Sequence, residues 1–334
     1  MTEEEKNAYE HTTPFQELKK LGAERLGEFK ALLADLLRYM SFKDMITLFF
    51  PPALGWSMLR GSLSGRALQN DNFNSDNYDE KMVASVLSLA KWLSVHYFST
   101  DIRNVEKIPA GGPVLIVGNH SAGLMPVDAL FAINRIREVQ GDAQRVYSLV
   151  HDFAYMSPRV GNLASRIGTL RAKPENAKAA LASGGHVLVY PGGDKDAFRT
   201  FHDRKKIVLS GRTGFVRLAM ETGIPIVPLV SVGLHESFYV FANGAAVAKK
   251  LGLKQWLRTD IFPVALSFPW GLAPAFFPFI PLPTSIEMEF CDPVDTSGDP
   301  SNTAAVERIY DKVEQVMQDT MDSLYENRVP LAGR

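Results

Sequence analysis

The segment Val117-Gly118-Asn119-His120-Ser121-Ala122-Gly123-Leu124-Met125-Pro126-Val127-Asp128 sets a histidine where a short apolar strand should end and a carboxylate eight positions later. Imidazole exchanges a proton near neutral pH, and a carboxylate bonded to one ring nitrogen decides which tautomer faces a substrate. The pair has the composition of a general base with its orienting group. Val114 to Val117 is β-branched and aliphatic, Gly118 interrupts it, and a helix-like apolar run follows Asp128. His120 is therefore expected in a strand-to-helix loop, the kind of position where function gathers. Asp128 also suits the N-cap of that helix, and the two roles are compatible.

Three further segments carry chemistry: Gly168 to Asn176, with Arg171 and Lys173; Tyr190-Pro191-Gly192-Gly193-Asp194-Lys195-Asp196; and the strand around Pro225 to Pro228. In open α/β sheets ligands collect at the carboxyl ends of strands, so the loops that follow strands can share one crevice with His120. Other residues read as bland. His186 opens a strand and is expected to be a satisfied, partly buried residue. Cys291 reads as a small strand-end hydrophobe, and Ser121 lacks a base of its own. His151-Asp152 is a second, weaker base pair. Asp194, Lys195, Asp196 and Arg199 read as a solvated turn and stand as second-rank candidate site residues.

Several constellations are missing from the sequence. It has no Gly-x-Ser-x-Gly elbow, no phosphate loop ending in Gly-Lys-Ser/Thr and no Gly-x-Gly-x-x-Gly after a strand. His235-Glu236 is followed by Tyr239 where a zincin needs a second histidine, and no cluster has metal-ligand spacing. What survives is general-base chemistry at His120 with no metal and no cofactor.

The elements that must position these residues alternate from about residue 100 onward. Strands are expected at Val114 to Val117, Val146 to Val150, His186 to Tyr190, Ile226 to Val232 and Ile286 to Phe290. Helical patterns lie around Ala129 to Glu138, Glu175 to Ala182 and Gly214 to Thr222, with a last helix from Thr303 to about Arg328. This predicts an α/β fold with a mostly parallel sheet flanked by helices, preceded by an N-terminal helical region. Residues 1–80 are expected to hold that helical, interfacial region and a linker, and residues 81–330 the main domain. Thr13-Pro14 with Gln16 reads as a helix start, and Phe15, Leu18, Leu26, Phe29, Leu33, Leu36 and Leu37 follow at helical spacing, interrupted by Gly22 and Gly27. Met82, Val86, Leu89, Leu93 and Tyr97 trace another helix after an Asn- and Ser-rich connection.

With 334 residues, 46% of them hydrophobic and a net charge of −1, the chain is an ordinary globular one with no basic arm for nucleic acid. A single cysteine and the absence of a charged-then-apolar leader at Met1-Thr2-Glu3-Glu4-Glu5 argue against a secretion signal. Two apolar stretches concern a membrane. Met45 to Leu59 is aromatic but split by Pro51 and Pro52, and reads as a core helix or an interfacial anchor. Phe262 to Pro283 is interrupted by Pro263, Pro269, Pro274, Pro278, Pro281 and Pro283. That proline density forbids a regular spanning helix and predicts an irregular segment: buried loop packing or a wall of a lipid-binding groove.

The ordered blocks, namely His120 with Asp128, Arg171 before Pro174-Glu175-Asn176, Val189-Tyr190-Pro191-Gly192-Gly193-Asp194, and Gly223-Ile224-Pro225-Ile226-Val227-Pro228, resemble those of the glycerolipid acyltransferase superfamily. That superfamily includes the 1-acylglycerol-3-phosphate acyltransferases and the diacylglycerol acyltransferase and phytyl ester synthase-like branch. The similarity runs from about Asn104 to the final helix.

The resemblance implies an O-acyltransferase. His120 would take the proton of a lipid hydroxyl, which attacks an acyl thioester directly, and Asp128 would fix the imidazole and stabilise the imidazolium. Backbone donors of the Gly192-Gly193 turn would stabilise the oxyanion, since glycine lets backbone approach a ligand closely. Asn119, Arg171, Lys173, Tyr190, Pro191, Gly192, Gly193 and Asp194 would line the substrate, with Arg171 holding a phosphate or carrier group. The co-substrate would be acyl-CoA or acyl carrier protein, and the site would be peripheral on the cytoplasmic side of a membrane. Two departures stand out. The family usually has four residues between histidine and aspartate, whereas here position 125 is methionine and the carboxylate is Asp128. The third block is Pro-Gly-Gly rather than Pro-Glu-Gly, which resembles the neutral-lipid branch and shifts the expected acceptor toward neutral lipid alcohols. The alternative reading is a lipid-binding or carrier protein whose shifted aspartate no longer serves the base; a hydrolase, with water as acceptor, is a third.

Overall fold

A computed structural model describes residues 14–63, 72–120, 123, 127–253, 260–268, 270–275, 279–326 and 328–330. Its centre is a seven-stranded sheet made of β1 (Thr100–Arg103), β2 (Leu115–Gly118), β3 (Val146–Val150), β4 (Thr169–Arg171), β5 (His186–Val189), β6 (Ile226–Val232) and β10 (Ile286–Phe290), in the order β1-β10-β6-β2-β5-β3-β4. The five strands from β6 to β4 are parallel; β10 runs antiparallel to β6, and β1 pairs parallel with β10. Strands β2 and β6 are buried along their whole length. That fits their unbroken aliphatic sequence, because a parallel sheet covered on both faces has no polar side. Leu115, Ile116 and Val117 are wholly shielded from solvent, each contributing about 1.5–3 kcal/mol by burial.

The five predicted strands form with ends shifted by a residue at most. Missing from the sequence reading are β1 and β4. Thr-Asp-Ile-Arg and Thr-Leu-Arg are too short and too polar to show a period, and only pairing along a neighbour makes them strands. The covering helices include α4 (Glu80–His96), α5 (Val127–Gln140), α7 (Pro174–Ala182), α9 (Gly214–Thr222) and α11 (Thr303–Tyr325). Asp79 caps α4 through the Met82 N–H, and Asn302 caps α11 through the Ala305 N–H. In α11, Val306, Ile309, Val313, Met317, Met321 and Leu324 make one buried stripe, packed against β6.

At the N-terminus α1 (Pro14–Leu37) is one continuous helix despite its two glycines. It lies on α4, with Phe29 and Trp92 rings 5.0 Å apart and the Ser85 hydroxyl donating to Asp35 at 2.7 Å. The expected cap at Thr13 falls outside the described residues. The Met45 to Leu59 stretch divides into α2 (Phe42–Phe49) and α3 (Pro51–Leu63), with Phe50 extended between them because a residue before proline avoids the helical region. Ser41 and Asp44 form a reciprocal capping box at the start of α2. Among the described residues no helix is long and apolar enough to cross a membrane.

One expectation is overturned. Phe262 to Pro283 is not simply irregular: β8 (Val264–Ser267) and β9 (Gly271–Pro274) lie in it and, with β7 (Tyr239–Ala242), form a second, antiparallel sheet in the order β7-β8-β9. The prolines forbid a helix, yet Pro263 precedes β8 and Pro274 ends β9, positions a strand tolerates. The alternation of faces was invisible because both faces are apolar.

Candidate active site

The strand order puts β2 between β5 and β6, so the loop leaving β2 is flanked by those leaving its two parallel neighbours. His120 sits there. Its Nδ1 lies 2.6 Å from Oδ2 of Asp128, at the first turn of α5, and the Asp128 side chain is fully buried. The longer spacing in the sequence therefore does not separate the pair. Oδ1 of Asp128 accepts the Ala129 N–H at 2.9 Å, so the carboxylate serves the imidazole and the helix start together. The His120 side chain keeps 19% of its surface exposed.

Neighbours define the histidine further. Asn119 is buried, and its amide makes a two-way bond with the backbone of Ser231, donating to the carbonyl at 2.9 Å and accepting the N–H at 2.8 Å. It ties the β2 loop to β6. Tyr190, at the end of β5, stacks its ring 5.0 Å from the imidazole. A Cβ at position 118 would come within 2.6 Å of that ring, so Gly118 is needed for the tyrosine to lie there. The Tyr190 hydroxyl is buried, and burial together with the charges of Asp128 and Asp196 holds it well above the usual phenol range.

The turn after β5 is packed tightly. A Cβ on Gly192 would fall 2.0 Å from the Val208 carbonyl oxygen, and Gly193 has a φ of +58°. The Gly193 N–H donates to the Tyr190 carbonyl at 3.1 Å, so of the two glycines Gly192 is the candidate oxyanion donor. Arg212, which sequence reasoning passed over, donates to the Pro191 carbonyl at 2.9 Å and approaches Asp194 at 3.7 Å, bracing the turn from outside.

Asp196 and Arg199 are not a solvated turn. Both are buried, because the chain folds straight from the Gly-Gly turn into the short helix α8 (Asp194–Ala197) beneath the β2 loop. Asp196 accepts the backbone N–H of His120 at 2.5 Å and pairs with Arg199 at 3.2 Å. Arg199 in turn donates to Nε2 of buried His235, at 3.0 and 3.3 Å. Burial, then the positive charge of Arg199, keeps His235 well below the usual imidazole range and neutral. Burial pushes Asp196 up, against the pull of Arg199 and of the His120 N–H. For His120, burial disfavours the imidazolium, but the charge and hydrogen bond of Asp128 and the charge of Asp196 outweigh it and raise its pKa. No local signal marks His235 as a neighbour of His120.

Arg171 and Lys173 stand farther out on β4 and at the start of α7, two strands beyond β5. Arg171 is buried and grips Asp152 through two guanidinium nitrogens, one of them at 3.0 Å from Oδ2. Asp152 is thereby a partner of Arg171. His186 lies in the core, accepting the Val114 N–H at Nδ1 (3.1 Å) with Nε2 2.7 Å from Gln140, and burial lowers its pKa to about 4. Among the described residues no three His, Cys, Asp or Glu side chains are grouped to hold a metal.

Set beside known proteins, the chain falls among the lipid acyltransferases. The diacylglycerol acyltransferase family model matches residues 62–330, and the chain belongs to that family. It is 30% identical over 268 residues to an uncharacterized protein of Mycobacterium tuberculosis, covering 79% of this chain and 70% of that one. It is 26% identical over 238 residues to the human DGAT1/2-independent enzyme synthesizing storage lipids, covering 68% and 65%. The crystal structure of the 1-acyl-sn-glycerophosphate acyltransferase PlsC of Thermotoga maritima superposes with a TM-score of 0.48 and 17% identity, over 88% of this chain and 96% of that one.

Proposed function

We propose that the protein moves a fatty acyl group from an acyl thioester, acyl-CoA or acyl carrier protein, to the hydroxyl of a glycerolipid or related lipid alcohol at a membrane surface. The observation that carries this reading is the 2.6 Å contact of His120 Nδ1 with a fully buried Asp128. With Nδ1–H donated to Asp128, Nε2 is the basic nitrogen. It takes the acceptor hydroxyl proton as the oxygen attacks the thioester carbonyl; the carbon–sulfur bond breaks and the imidazolium returns the proton to the leaving thiolate, giving an ester and a free thiol. Asp128 stabilises the imidazolium, and the Gly192 N–H would meet the tetrahedral oxyanion. No covalent acyl-enzyme is formed.

Two features favour a neutral acceptor such as diacylglycerol or a long-chain alcohol over lysophosphatidate. The third block has Gly192 where Pro-Glu-Gly places a carboxylate, and the Arg171 fork is engaged by Asp152. The relative named for storage-lipid synthesis and a phytyl ester synthase of Arabidopsis thaliana, 28% identical over 137 residues, covering 40% of this chain and 20% of that one, point the same way. The contact of Asp128 with His120 disfavours the carrier-protein alternative, which needs a disabled base. The test is purified protein with labelled acyl-CoA or acyl carrier protein and a panel of lysophosphatidate, other lysophospholipids, diacylglycerol and a long-chain alcohol. Ester should form and vanish in His120→Ala; equal formation by that variant refutes the mechanism.

A further inference from the structure

The second sheet presents one face to the interior and the other to solvent. Val240 and Ala265 point inward and are buried with Phe198, Phe238 and Phe279. Their strand neighbours point outward. Tyr239 pairs with Leu266 and Leu266 with Leu272, forming a continuous apolar row across all three strands. Leu272 is 68% exposed and Leu266 52%, and Phe241, Phe268 and Trp270 extend the row at 54%, 59% and 44%. No residue from Ile261 to Pro283 carries a charge. A contiguous apolar face of this kind marks an interaction surface.

We propose that this outer face is where the protein lies on a lipid bilayer. The inference rests on the reading above that its substrates are lipids, and adds which surface meets them. Three observations select a membrane as the occupant. Trp270 and Tyr239 are the residue types that settle at headgroup depth. The exposed Lys249 and Lys250 end α10 (Ala245–Lys250), which follows β7 and starts against Phe262, so exposed cations come a few residues after the apolar strand, as binding to anionic headgroups favours. The third observation is the inner face. Phe198 follows Asp196, which holds the His120 backbone, and a Cβ on Gly123 of the catalytic loop would meet Phe238 at 2.9 Å and Phe198 at 3.3 Å. The sheet is thus packed between the lipid-facing surface and the catalytic loop, which shortens the path of a membrane-dissolved substrate to His120.

The test needs no acyl donor, so its failure is separable from failure of the proposed chemistry. Wild-type protein and a Leu266→Glu/Leu272→Glu double variant are sedimented with phosphatidylcholine vesicles, with and without phosphatidylglycerol. Both leucines are half or more exposed, so the far-ultraviolet spectrum and Tm should stay unchanged; Leu266→Thr/Leu272→Thr serves if the double glutamate variant does not fold. Binding should fall at least about tenfold, since charge is being placed in the apolar contact. In a protein whose other tryptophans are replaced by phenylalanine, Trp270 fluorescence should shift to the blue on adding vesicles. Unchanged binding, or loss of binding only on substituting the exposed Phe42 and Trp56 of the N-terminal helices, overturns the proposal. So does a double variant that turns a dimer into a monomer while still binding vesicles, which assigns the face to a second copy.

Discussion

Replacing Asp128 by asparagine changes one atom and should remove most of the activity. The reason lies in how the carboxylate is held. Its Oδ1 accepts the Ala129 N–H at 2.9 Å while Oδ2 faces His120 Nδ1 at 2.6 Å. An asparagine will keep its carbonyl oxygen on the Ala129 N–H, where a donor is already present, and so turn its NH2 toward Nδ1. Nδ1 then accepts instead of donating, the proton moves to Nε2, and the nitrogen facing the substrate is no longer a base. In the Ser-His-Asp arrangement the same exchange costs roughly 10⁴ in kcat, equivalent to about 5 kcal/mol of transition-state stabilisation. A loss of about 10³–10⁴ is expected here. The rest of the reasoning concerns pH. Asp128 is one of the charges that raise the His120 pKa above its ordinary 6.5, so the wild-type rate should climb with pH through a midpoint above that value, as the imidazole becomes neutral. In Asp128→Asn the residual activity should show that midpoint displaced downward, because the imidazolium has lost its anion. Initial rates of ester formation from labelled acyl-CoA across a pH series, with substrate binding measured separately, give both quantities. A variant within about threefold of wild type with the same midpoint would refute the reasoning and leave Asp128 as a helix cap.

Three further outcomes are expected. Gly192→Ala should lose activity and about 1–3 kcal/mol of stability, since its Cβ would sit 2.0 Å from a backbone carbonyl that cannot rotate away; wild-type values for both would show the turn to be loose. Arg328→Met should cost about 3–5 kcal/mol in urea unfolding, because Arg328 bonds Glu236 at 3.0 and 3.1 Å and Glu287 at 3.0 Å in full burial, and its removal takes a cation away from two buried carboxylates, of which Glu287 keeps Arg103; a change under about 1 kcal/mol would contradict this. For His186 the folded-state pKa of about 4 lies below the unfolded 6.5. The neutral ring therefore stabilises the fold fully above pH 6.5, and that contribution, about 3 kcal/mol, is lost as pH falls from 6.5 toward 4. His186→Asn, which keeps an acceptor for the Val114 N–H, should flatten the acid limb of stability against pH, and an unaltered limb would assign it to other groups.

Much of the framework was open to local reading. The apolar runs of β2, β3, β5 and β6, the alternation of β10, the helical stripe of α11 and the breaks at Gly118 and Gly192-Gly193 all express themselves within ten residues or so, because strand and helix periods and glycine turns are local properties. So is the placement of His120 after a strand. Short β1 and β4, and the second sheet inside a proline-rich apolar segment, had no such period to show.

The sequence alone determined the place of His120 in a strand-to-helix loop, the mostly parallel sheet beneath it and the family, and named that histidine as the candidate base. Tertiary structure decided what surrounds the base. Whether Asp128 returns to His120 depends on where α5 docks. That Asp196 accepts the His120 N–H, that Arg199 and His235 lie buried behind it, and that Arg171 is held by Asp152 depend on strands brought together from 19 to 76 residues apart. Residue type sets what a side chain can donate, accept or titrate. Which partner it meets, and how much water is left around it, is set by packing between segments that carry no record of one another in their local patterns.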